Sequence, residues 1–588
     1  MKRYIIVALF ALSTAFAQSK KYEGPEDSAG DIAAEREGYM TGNRVFLYFR
    51  NTTELSDWPK SNVSRWPNNL DGLKMVDGIG LLVGAKVYIK DDPTTRIDST
   101  VVTDRNIIEN GEDLHELYYL QTSYREEMDV NPAGTFEYGF YPAFGYFNET
   151  GEYPAMSNRP SSWPVNGWPS VGRETKWPGE WDGRFGRGVI YADMETYFVV
   201  NDAQDQEYLE LPDRVRYYPR KGKKIGDIND KVTIGLGNPW GGLGLRVEAR
   251  GFQWNNPQAR DAIFWEYNIA NISDYDLTEV AFGYWVDNAI GDDGSDELAF
   301  FDTDLDMSYS WDINGIGKGG LPTGTMGFAY LESPGVPYDD IDNDKDGLLN
   351  EKRDNVAVNK VGPTDGIHNL QDFLAFYRLT EDDLKEHWDA DEDQDWEDGE
   401  DLNGDGIYSE SEFFGDDIGL DGVAPGELNY TGPDEGEGNH RPDYVEGVGC
   451  EPNFAETDVS ESDMIGLTSF RLFPVPSHSQ SNQTWWFKND QAMWDLIGEN
   501  VLEEYIENIS NLIEIFASGP FPLYRGRSER ISMAELHSFD PLEGLNSSDH
   551  TAPSLYELKK IVQVIYEKDY RFAQPPKMPT LTATPADG

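Results

Sequence analysis

The sequence predicts a mainly β, multidomain protein with antiparallel β-sandwiches, an acidic insertion that carries calcium loops, and a few helices late in the chain. Apolar and polar residues alternate along many short stretches, as they do in strands with one buried face. Aromatic residues make up 13% of the chain, which is enough to fill large cores. Because 588 residues are too many for one hydrophobic core, several domains are expected.

The N-terminus has the parts of a secretory signal peptide. Lys2 and Arg3 precede an apolar run over residues 4–16, and Ala17 completes a small-residue cleavage site. The run is too short to span a bilayer, and no later stretch is apolar enough to do so. We therefore expect export to the extracellular space or the cell surface, with the periplasm as the alternative location.

Charge and cysteine content restrict the partners. A net charge of −59 and a pI near 4.3 argue against binding to nucleic acid or to anionic membranes, which would repel the chain. The single cysteine, Cys450, excludes an internal disulfide. An exported protein of this kind needs another way to hold its loops, and bound metal is the predicted one.

The chain divides into six predicted segments. They are a signal peptide (1–17), an N-terminal β-rich region with Trp/Gly/Pro-rich loops (18–225), the first part of a β-sandwich (226–335), the acidic insertion (336–462), the second part of the sandwich with helices (463–574), and the start of a truncated module (575–588).

The strand signals are clearest in and around the predicted sandwich. Apolar and polar residues alternate over 45–49, and residues 80–89 form an apolar run. Sequence typical of strands occurs again at 465–473, 513–517 and 530–535. Two further alternating runs flank a short polar turn at 271–276, which predicts an antiparallel hairpin. Their inward residues are Ile263, Trp265, Tyr267 and Ile269 in the first run, and Val280, Phe282, Tyr284 and Val286 in the second.

Two helices are predicted near the end of the chain. Helical spacing connects Trp494, Ile497, Val501, Tyr505 and Ile509. A second apolar stripe follows a capping box formed by Ser554 and Glu557; its members are Leu555, Leu558, Ile561, Val562 and Ile565.

The acidic insertion contains a complete EF-hand loop pattern at residues 401–412 (DLNGDGIYSESE). Oxygen ligands at positions one, three and five converge on one ion, Gly406 permits the sharp turn, and the last residue closes the site bidentately. Its predicted Ca²⁺ ligands are Asp401, Asn403, Asp405, the carbonyl of Ile407, Ser409 or a water it holds, and Glu412. The residues after the loop are too rich in Gly and Asp to form a helix, so the loop resembles the helix-poor calcium loops of dockerin and thrombospondin type 3 repeats.

A second, less regular loop precedes it. Its predicted ligands are Asp342, Asp344, Asp346, the carbonyl of Leu348, and Asn350. Arg353 stands at the closing position, so Glu351 or Asp354 must substitute there. A third alternating run, at 389–395, has Gln394 where the turn glycine belongs, so it either completes a neighbouring site or is a solvated acidic face.

No motif identifies a reaction. The serine-hydrolase elbow, the zinc-protease helix and the phosphate-binding loop are missing from the sequence, and the seven histidines have no metal spacing. Paired carboxylates could hydrolyse glycosides, and the candidates beside Trp177 and Trp181 are Glu180, Asp182, Asp193 and Glu195. Five Trp-Pro pairs could form a carbohydrate platform or cap a core; they begin at Trp58, Trp66, Trp163, Trp168 and Trp177.

Several phrases resemble a group of large exported proteins of Gram-negative bacteria. They are residues 184–188 (RFGRG), 251–256 (GFQWNN), 465–470 (IGLTSF), 516–521 (FASGPF) and 570–573 (YRFA). The last residues, 575–588, resemble the opening strand of a fibronectin type III module. The resemblance implies that such modules and a type IX secretion sorting domain follow, and it carries no catalytic residues.

These observations favour an exported, calcium-stabilised structural or adhesive surface protein without a readable catalytic site. Its expected partners are calcium ions and either surface glycans or other cell-surface proteins. The alternative is a secreted protein that binds or hydrolyses carbohydrate. Facing carboxylates over a Trp floor would favour the alternative, and buried tryptophans would favour the first interpretation.

Overall fold

The computed structural model describes most of the chain outside the acidic insertion. The described residues are 28–58, 60, 62–91, 99–103, 105–111, 114–124, 137–169, 179–205, 241–273, 275–292, 296–336, 360–361, 380–381, 387–388, 444–445, 449–450, 464–474, 489–503, 511–540, 551–567 and 570.

The described chain is mainly β-strand. In chain order the strands are β1 (Glu37–Met40), β2 (Phe46–Arg50), β3 (Ser64–Arg65), β4 (Val76–Asp91), β5 (Ser99–Val101), β6 (His115–Thr122), β7 (Tyr141–Pro142), β8 (Ala155–Met156), β9 (Asp182–Gly183), β10 (Gly186–Arg187), β11 (Met194–Asn201), β12 (Leu245–Gln253), β13 (Ala262–Asn271), β14 (Leu277–Asn288), β15 (Glu297–Asp302), β16 (Met307–Asp312), β17 (Thr325–Glu332), β18 (Lys360–Val361), β19 (His387–Trp388), β20 (Tyr444–Val445), β21 (Gly449–Cys450), β22 (Ser469–Pro474), β23 (Leu512–Leu523) and β24 (Ser528–Ser538). The α-helices are α1 (Arg105–Asn110), α2 (Asp490–Ile497) and α3 (Pro553–Glu567).

Two large antiparallel sheets form a sandwich. The nine-stranded sheet has the order β15-β16-β17-β24-β13-β12-β11-β7, with β8 also paired to β11. The six-stranded sheet has the order β22-β23-β14-β4-β5, with β6 also paired to β4. Strands from residues 76–122 and 469–538 therefore share sheets with strands of the predicted first sandwich part. Smaller units are the ribbon β1-β2-β3 and the pairs β9-β10, β18-β19 and β20-β21.

The main core lies between the two large sheets. Tyr267 of β13 and Tyr284 of β14 meet there through their hydroxyls, 2.7 Å apart. Tyr284 also packs edge-on against Phe328 of β17, with ring centroids 5.9 Å apart. All three residues are at most 1% exposed. The alternation read from the sequence thus places the predicted inward residues of β13 and β14 in this core.

The predicted hairpin between β13 and β14 is wrong. β13 pairs with β12 and β24 in one sheet, whereas β14 pairs with β4 and β23 in the other. The connection between them crosses from sheet to sheet, and the Asn271 side chain holds it by donating to the carbonyls of Tyr275 and Leu523 at 3.0 and 2.9 Å. An arch and a hairpin require the same alternation, so the pattern could not separate them.

The two late helices lie on opposite outer faces of the sandwich. α2 covers the six-stranded sheet with Trp494 and Ile497, and α3 covers the nine-stranded sheet with Leu555 and Val562. Ile561, predicted in the apolar stripe of α3, is 37% exposed.

Both helix boundaries differ from the predicted ones. The predicted continuation of α2 through Val501 is wrong: the helix ends at Ile497, Asn500 has a φ of 51°, and Leu502 forms a bridge to Phe470. In α3, Ser554 lies inside the first turn, and its backbone N–H donates to Asp540 Oδ1 at 2.7 Å. Asp540, which follows β24 in the chain, thus supplies the carboxylate that the predicted capping box assigned to Glu557.

Candidate functional site: a buried ionic row

The predicted calcium ligands lie outside the described residues. They are Asp401, Asn403, Asp405, Ile407, Ser409 and Glu412 of the first loop, and Asp342, Asp344, Asp346, Leu348 and Asn350 of the second. Among the residues that the structure does describe, no group of three or more His, Cys, Asp or Glu side chains is placed to hold a metal ion. Calcium binding therefore stays a prediction.

Most described tryptophans of the Trp-Pro pairs are buried. Trp66, Trp163 and Trp168 are between 2% and 7% exposed, whereas Trp58 is 43% exposed. Trp177 lies outside the described residues. Trp163 and Trp168 pack against Trp181 in an aromatic layer over β11, with ring centroids 5.6 and 5.2 Å from it. These indoles cap a core, which is the structural one of the two predicted roles.

The four carboxylates suggested for glycoside chemistry have different environments. Glu195 is fully buried, and Asp182 is 6% exposed. Glu180 is exposed and pairs with Arg187 at 3.0 Å. Asp193 is also exposed and accepts from the backbone N–H of Asn255 at 2.6 Å. The buried Glu195 instead contacts a different cluster of charged residues, through Arg250.

A line of polar side chains crosses the outer face of the nine-stranded sheet. Tyr197 is the register partner of Arg250, Arg250 of Glu266, Glu266 of Ser532, and Ser532 of Glu332. We call these five residues the ionic row. Each is at most 8% exposed. This burial is unusual, because polar residues on the outer face of an antiparallel sheet are commonly in contact with solvent.

Arginines neutralise the carboxylates in and beside the row. Arg250 donates to Glu195 Oε1 at 2.7 Å, and Arg530 Nε lies 3.1 Å from both oxygens of Glu332. Arg184 Nε donates to Glu266 Oε2 at 3.1 Å. Buried charges are stable only when they are paired and hydrogen-bonded, and these contacts meet that condition.

Further contacts complete the shell of Glu195 and Arg250. The indole N–H of Trp181 donates to Glu195 Oε2 at 2.9 Å, and the backbone N–H of Arg184 donates to Oε1 at 3.2 Å. The Arg250 guanidinium lies 3.7 Å from the ring centroid of Tyr197, a cation–π contact. The aromatic layer and the charged pair are thus parts of one structure.

The balance between burial and charge sets the ionisation of the row. Burial raises the pKa of Glu195, and the charge of Arg250 opposes that rise. Burial would also raise the pKa of Glu266, but Arg184 and Arg530 outweigh it, so this pKa lies below its ordinary value. Glu266 is therefore held as a carboxylate at neutral pH.

Two tyrosines at the C-terminal end of the described chain bind to the row. The Tyr566 hydroxyl, in α3, contacts Ser532 Oγ at 2.6 Å and donates to Glu332. The Tyr570 hydroxyl donates to Glu266 Oε1 at 2.9 Å. The Tyr570 ring stacks on Trp254 at 4.8 Å. Side chains that are remote in sequence therefore converge on one face.

This arrangement is suited to fastening rather than to reaction. Its carboxylates are engaged by arginine, tyrosine or tryptophan donors, and their burial denies them contact with solvent and substrate. A general acid or base must reach the proton that it transfers. The row instead joins α3, the aromatic layer and five strands of the sheet.

Sequence reasoning missed the row because its local pattern is that of a solvated face. β12 reads Arg246, Glu248 and Arg250 at alternate positions, as an exposed strand face does. Only the covering segments, far away in sequence, bury these charges. The one local signal was Glu195 beside Trp181, which was read as a carbohydrate motif.

Comparison with protein-family models and with curated proteins found no match for the chain. The resemblance to large exported proteins therefore remains a prediction. Within the described residues, no helix combines the length and apolar character needed to cross a bilayer.

Proposed function

We propose that this protein is an exported, calcium-stabilised structural or adhesive component of a bacterial surface or secreted material. The observation that carries the proposal is the loop at residues 401–412, whose ligand positions and turn glycine fit the EF-hand pattern throughout. The loop lies in a segment so acidic that it would repel itself without bound cations.

The sandwich supports a structural role for the body that holds this loop. Its aromatic residues are mostly in cores, and its buried charges form pairs that fasten distant segments together. Such pairs connect distant segments without disulfides, as a chain with a single cysteine would need for export. The signal peptide and the resemblance to exported proteins support a location outside the cytoplasm.

Calcium titration of residues 18–588 by isothermal titration calorimetry tests the proposal. We expect saturable binding that is lost from the loop at 401–412 in the Asp401→Ala/Glu412→Ala variant, because both ends of its ligand set are removed. Asp434→Ala/Glu437→Ala is the matched control, since it removes the same charges from the same acidic insertion outside either loop. Equal losses in both variants would mean diffuse counter-ion binding, and the proposal would fail.

Surface location is tested separately. In cells that produce the full protein, we expect externally added protease to degrade it and deletion of residues 1–17 to retain it inside. Protection of the wild-type protein in intact cells would contradict a surface location.

The carbohydrate alternative is tested with a glycan array. The buried positions of Trp66, Trp163 and Trp168 do not favour it. Saturable binding to one glycan, weakened by Trp58→Ala at the exposed Trp-Pro pair, would replace the structural proposal.

A further inference from the structure

The two ends of the acidic insertion lie side by side on the sandwich. Residues 333–336 leave β17 of the nine-stranded sheet, and residues 464–467 lead into β22 of the six-stranded sheet. Gly335 and Met464 form an antiparallel bridge, and the backbone N–H of Ile465 donates to Pro334 O at 3.1 Å. We call these two segments the neck. The insertion thus leaves and returns at one point.

Side chains of the body and of the neck hold this point closed. Ser333 Oγ accepts from the backbone N–H of Gly466 at 2.9 Å. Asp306, in the turn between β15 and β16, accepts from the N–H of Leu467 at 2.7 Å. Its own carbonyl accepts from the N–H of Tyr330 in β17 at 2.9 Å. One turn therefore binds the end of the outgoing strand and the start of the returning segment.

The fit around Asp306 is close. Gly466 has a φ of 57°, and a Cβ on it would overlap the Asp306 carboxylate. From α3, Gln563 Nε2 donates to Leu331 O at 3.0 Å, just before the neck. The turn before β16, the end of β17 and the helix α3 thus surround the neck and hold it.

We propose that the neck makes the sandwich a platform that presents the acidic insertion and keeps its own fold whatever the state of the insertion. Once the ends of a long segment are held together, the entropy of closing it grows only with the logarithm of its length. Even an unfolded insertion therefore adds only a limited entropic cost to the folded sandwich. Screening over about 8 Å at physiological salt further limits the repulsion between distant charges of the insertion and the body.

The proposal rests on the proposed function where it concerns calcium. If calcium occupies the loop at 401–412, its removal changes the insertion and leaves the two large sheets unchanged. Calcium would then control what the platform displays, and the stability of the platform would come from its cores and ion pairs.

Hydrogen–deuterium exchange of the full mature chain, with calcium and with EGTA, tests the calcium part. We expect peptides covering 401–412 to exchange at least about tenfold faster in EGTA, while β17, β22 and β23 stay within about twofold. Tenfold faster exchange in those strands would overturn the proposal, because calcium would then brace the body. No calcium binding by calorimetry would instead defeat the proposed function, and the second experiment would decide the neck.

The second experiment needs no calcium. A protease recognition sequence is placed after Gly432 in the full chain, and the insertion is cut there in EGTA. We expect the cut chain to stay a single particle in gel filtration. Because unfolding now separates two fragments, we compare the cut and uncut chains at one high protein concentration, and expect the melting temperature to fall by less than about 5 °C. Separation of the two fragments, or a fall of more than about 5 °C, would overturn the proposal.

A neck variant checks that the fit comes from the named contacts. Asp306→Ala/Ser333→Ala removes the acceptors of Leu467 and Gly466. We expect the uncut variant to fold and the cut variant to melt below the cut parent, because the two ends are then less firmly held. Equal melting of the cut variant and the cut parent would mean that the neck contacts do not isolate the sandwich.

Discussion

Removing Arg250 should destabilise the sandwich strongly. Arg250 is 8% exposed, its partner Glu195 is fully buried, and the two charged groups are 2.7 Å apart. Arg250→Met keeps most of the apolar stem but leaves the carboxylate without its cation. Breaking a buried pair in this way costs about 3–5 kcal/mol of unfolding free energy. The remaining donors of Glu195 are the neutral N–H groups of Trp181 and Arg184.

An exposed pair in the same region supplies the control. Arg187 lies 3.0 Å from Glu180, and their side chains are 40% and 60% exposed. Arg187→Met makes the same chemical change and alters the net charge equally. Pairs in solvent contribute about 0–1 kcal/mol, so this variant should unfold almost like the parent.

The pH dependence of the loss identifies its cause. Burial raises the pKa of Glu195, Arg250 opposes the rise, and the variant loses that opposition. A proton then neutralises the stranded carboxylate more readily, so the loss in Arg250→Met should shrink as pH falls. Urea unfolding monitored by tryptophan fluorescence, at mildly acidic and mildly alkaline pH, measures this. A loss below about 1 kcal/mol at both pH values, or one equal to that of Arg187→Met, would refute the reasoning.

Three further substitutions test other parts of the sandwich. The Glu514 carboxyl accepts hydrogen bonds from Ser308 and Asn288, and burial raises its pKa. Its contribution to folding stability is therefore fully present below the unfolded value of 4.5 and is lost as pH rises. In calorimetry, the melting temperature of Glu514→Gln relative to that of the parent should rise from acid to neutral pH. Burial lowers the pKa of Lys559, so the free-energy cost of burying its charged form decreases as pH rises towards 10.5. Lys559→Met should therefore raise the melting temperature most at neutral pH and least at alkaline pH. A Cβ at Gly283 would overlap a carbonyl of β23, so Gly283→Ala should cost at least about 1–3 kcal/mol in urea unfolding, and an unchanged midpoint would contradict the packing.

The strands could be predicted because their cause is local. Residues of β2, β4, β13 and β14 alternate or run apolar in the sequence, and the predicted inward residues of β13 and β14 lie in the core between the sheets. Pairing is not local, since it depends on which distant strand completes each edge. This is why β13 and β14 were read as a hairpin although each lies in a different sheet.

The helix boundaries show the same division. The apolar spacing through Val501 satisfies a helix, but Gly498 and Asn500 end α2, and Leu502 is held against β22. The spacing of apolar residues contains no information about that contact with a distant strand. For α3, the apolar stripe was predicted, whereas the carboxylate that receives the first-turn N–H comes from Asp540, outside the helix.

The candidate sites differ in the same physical way. An EF-hand loop is specified by twelve consecutive residues, so its predicted ligands can be named from sequence alone. The ionic row contains Arg250 and Glu266 from adjacent strands, and Tyr570, which is far from both in sequence, binds to Glu266. Each of these residues is unremarkable in its own neighbourhood in sequence. Only the covering layers turn an ordinary charged face into a buried network.

The buried contacts of the row connect residues that are far apart in sequence. Arg184 and Glu266 are 82 residues apart, Arg530 and Glu332 are 198 apart, and Tyr570 reaches Glu266 across 304 residues. Contacts that close such long loops restrict the folded chain where cross-links would, although only while their charges stay paired. The contacts of Glu266 are then sensitive to acid: the lowered pKa of Glu266 contributes stability above the unfolded value of 4.5, and that stability is lost as pH falls. An insertion held by calcium would be sensitive to chelators instead. The sandwich therefore relies on buried ionic contacts, whereas under the proposed function the insertion beyond the neck relies on calcium.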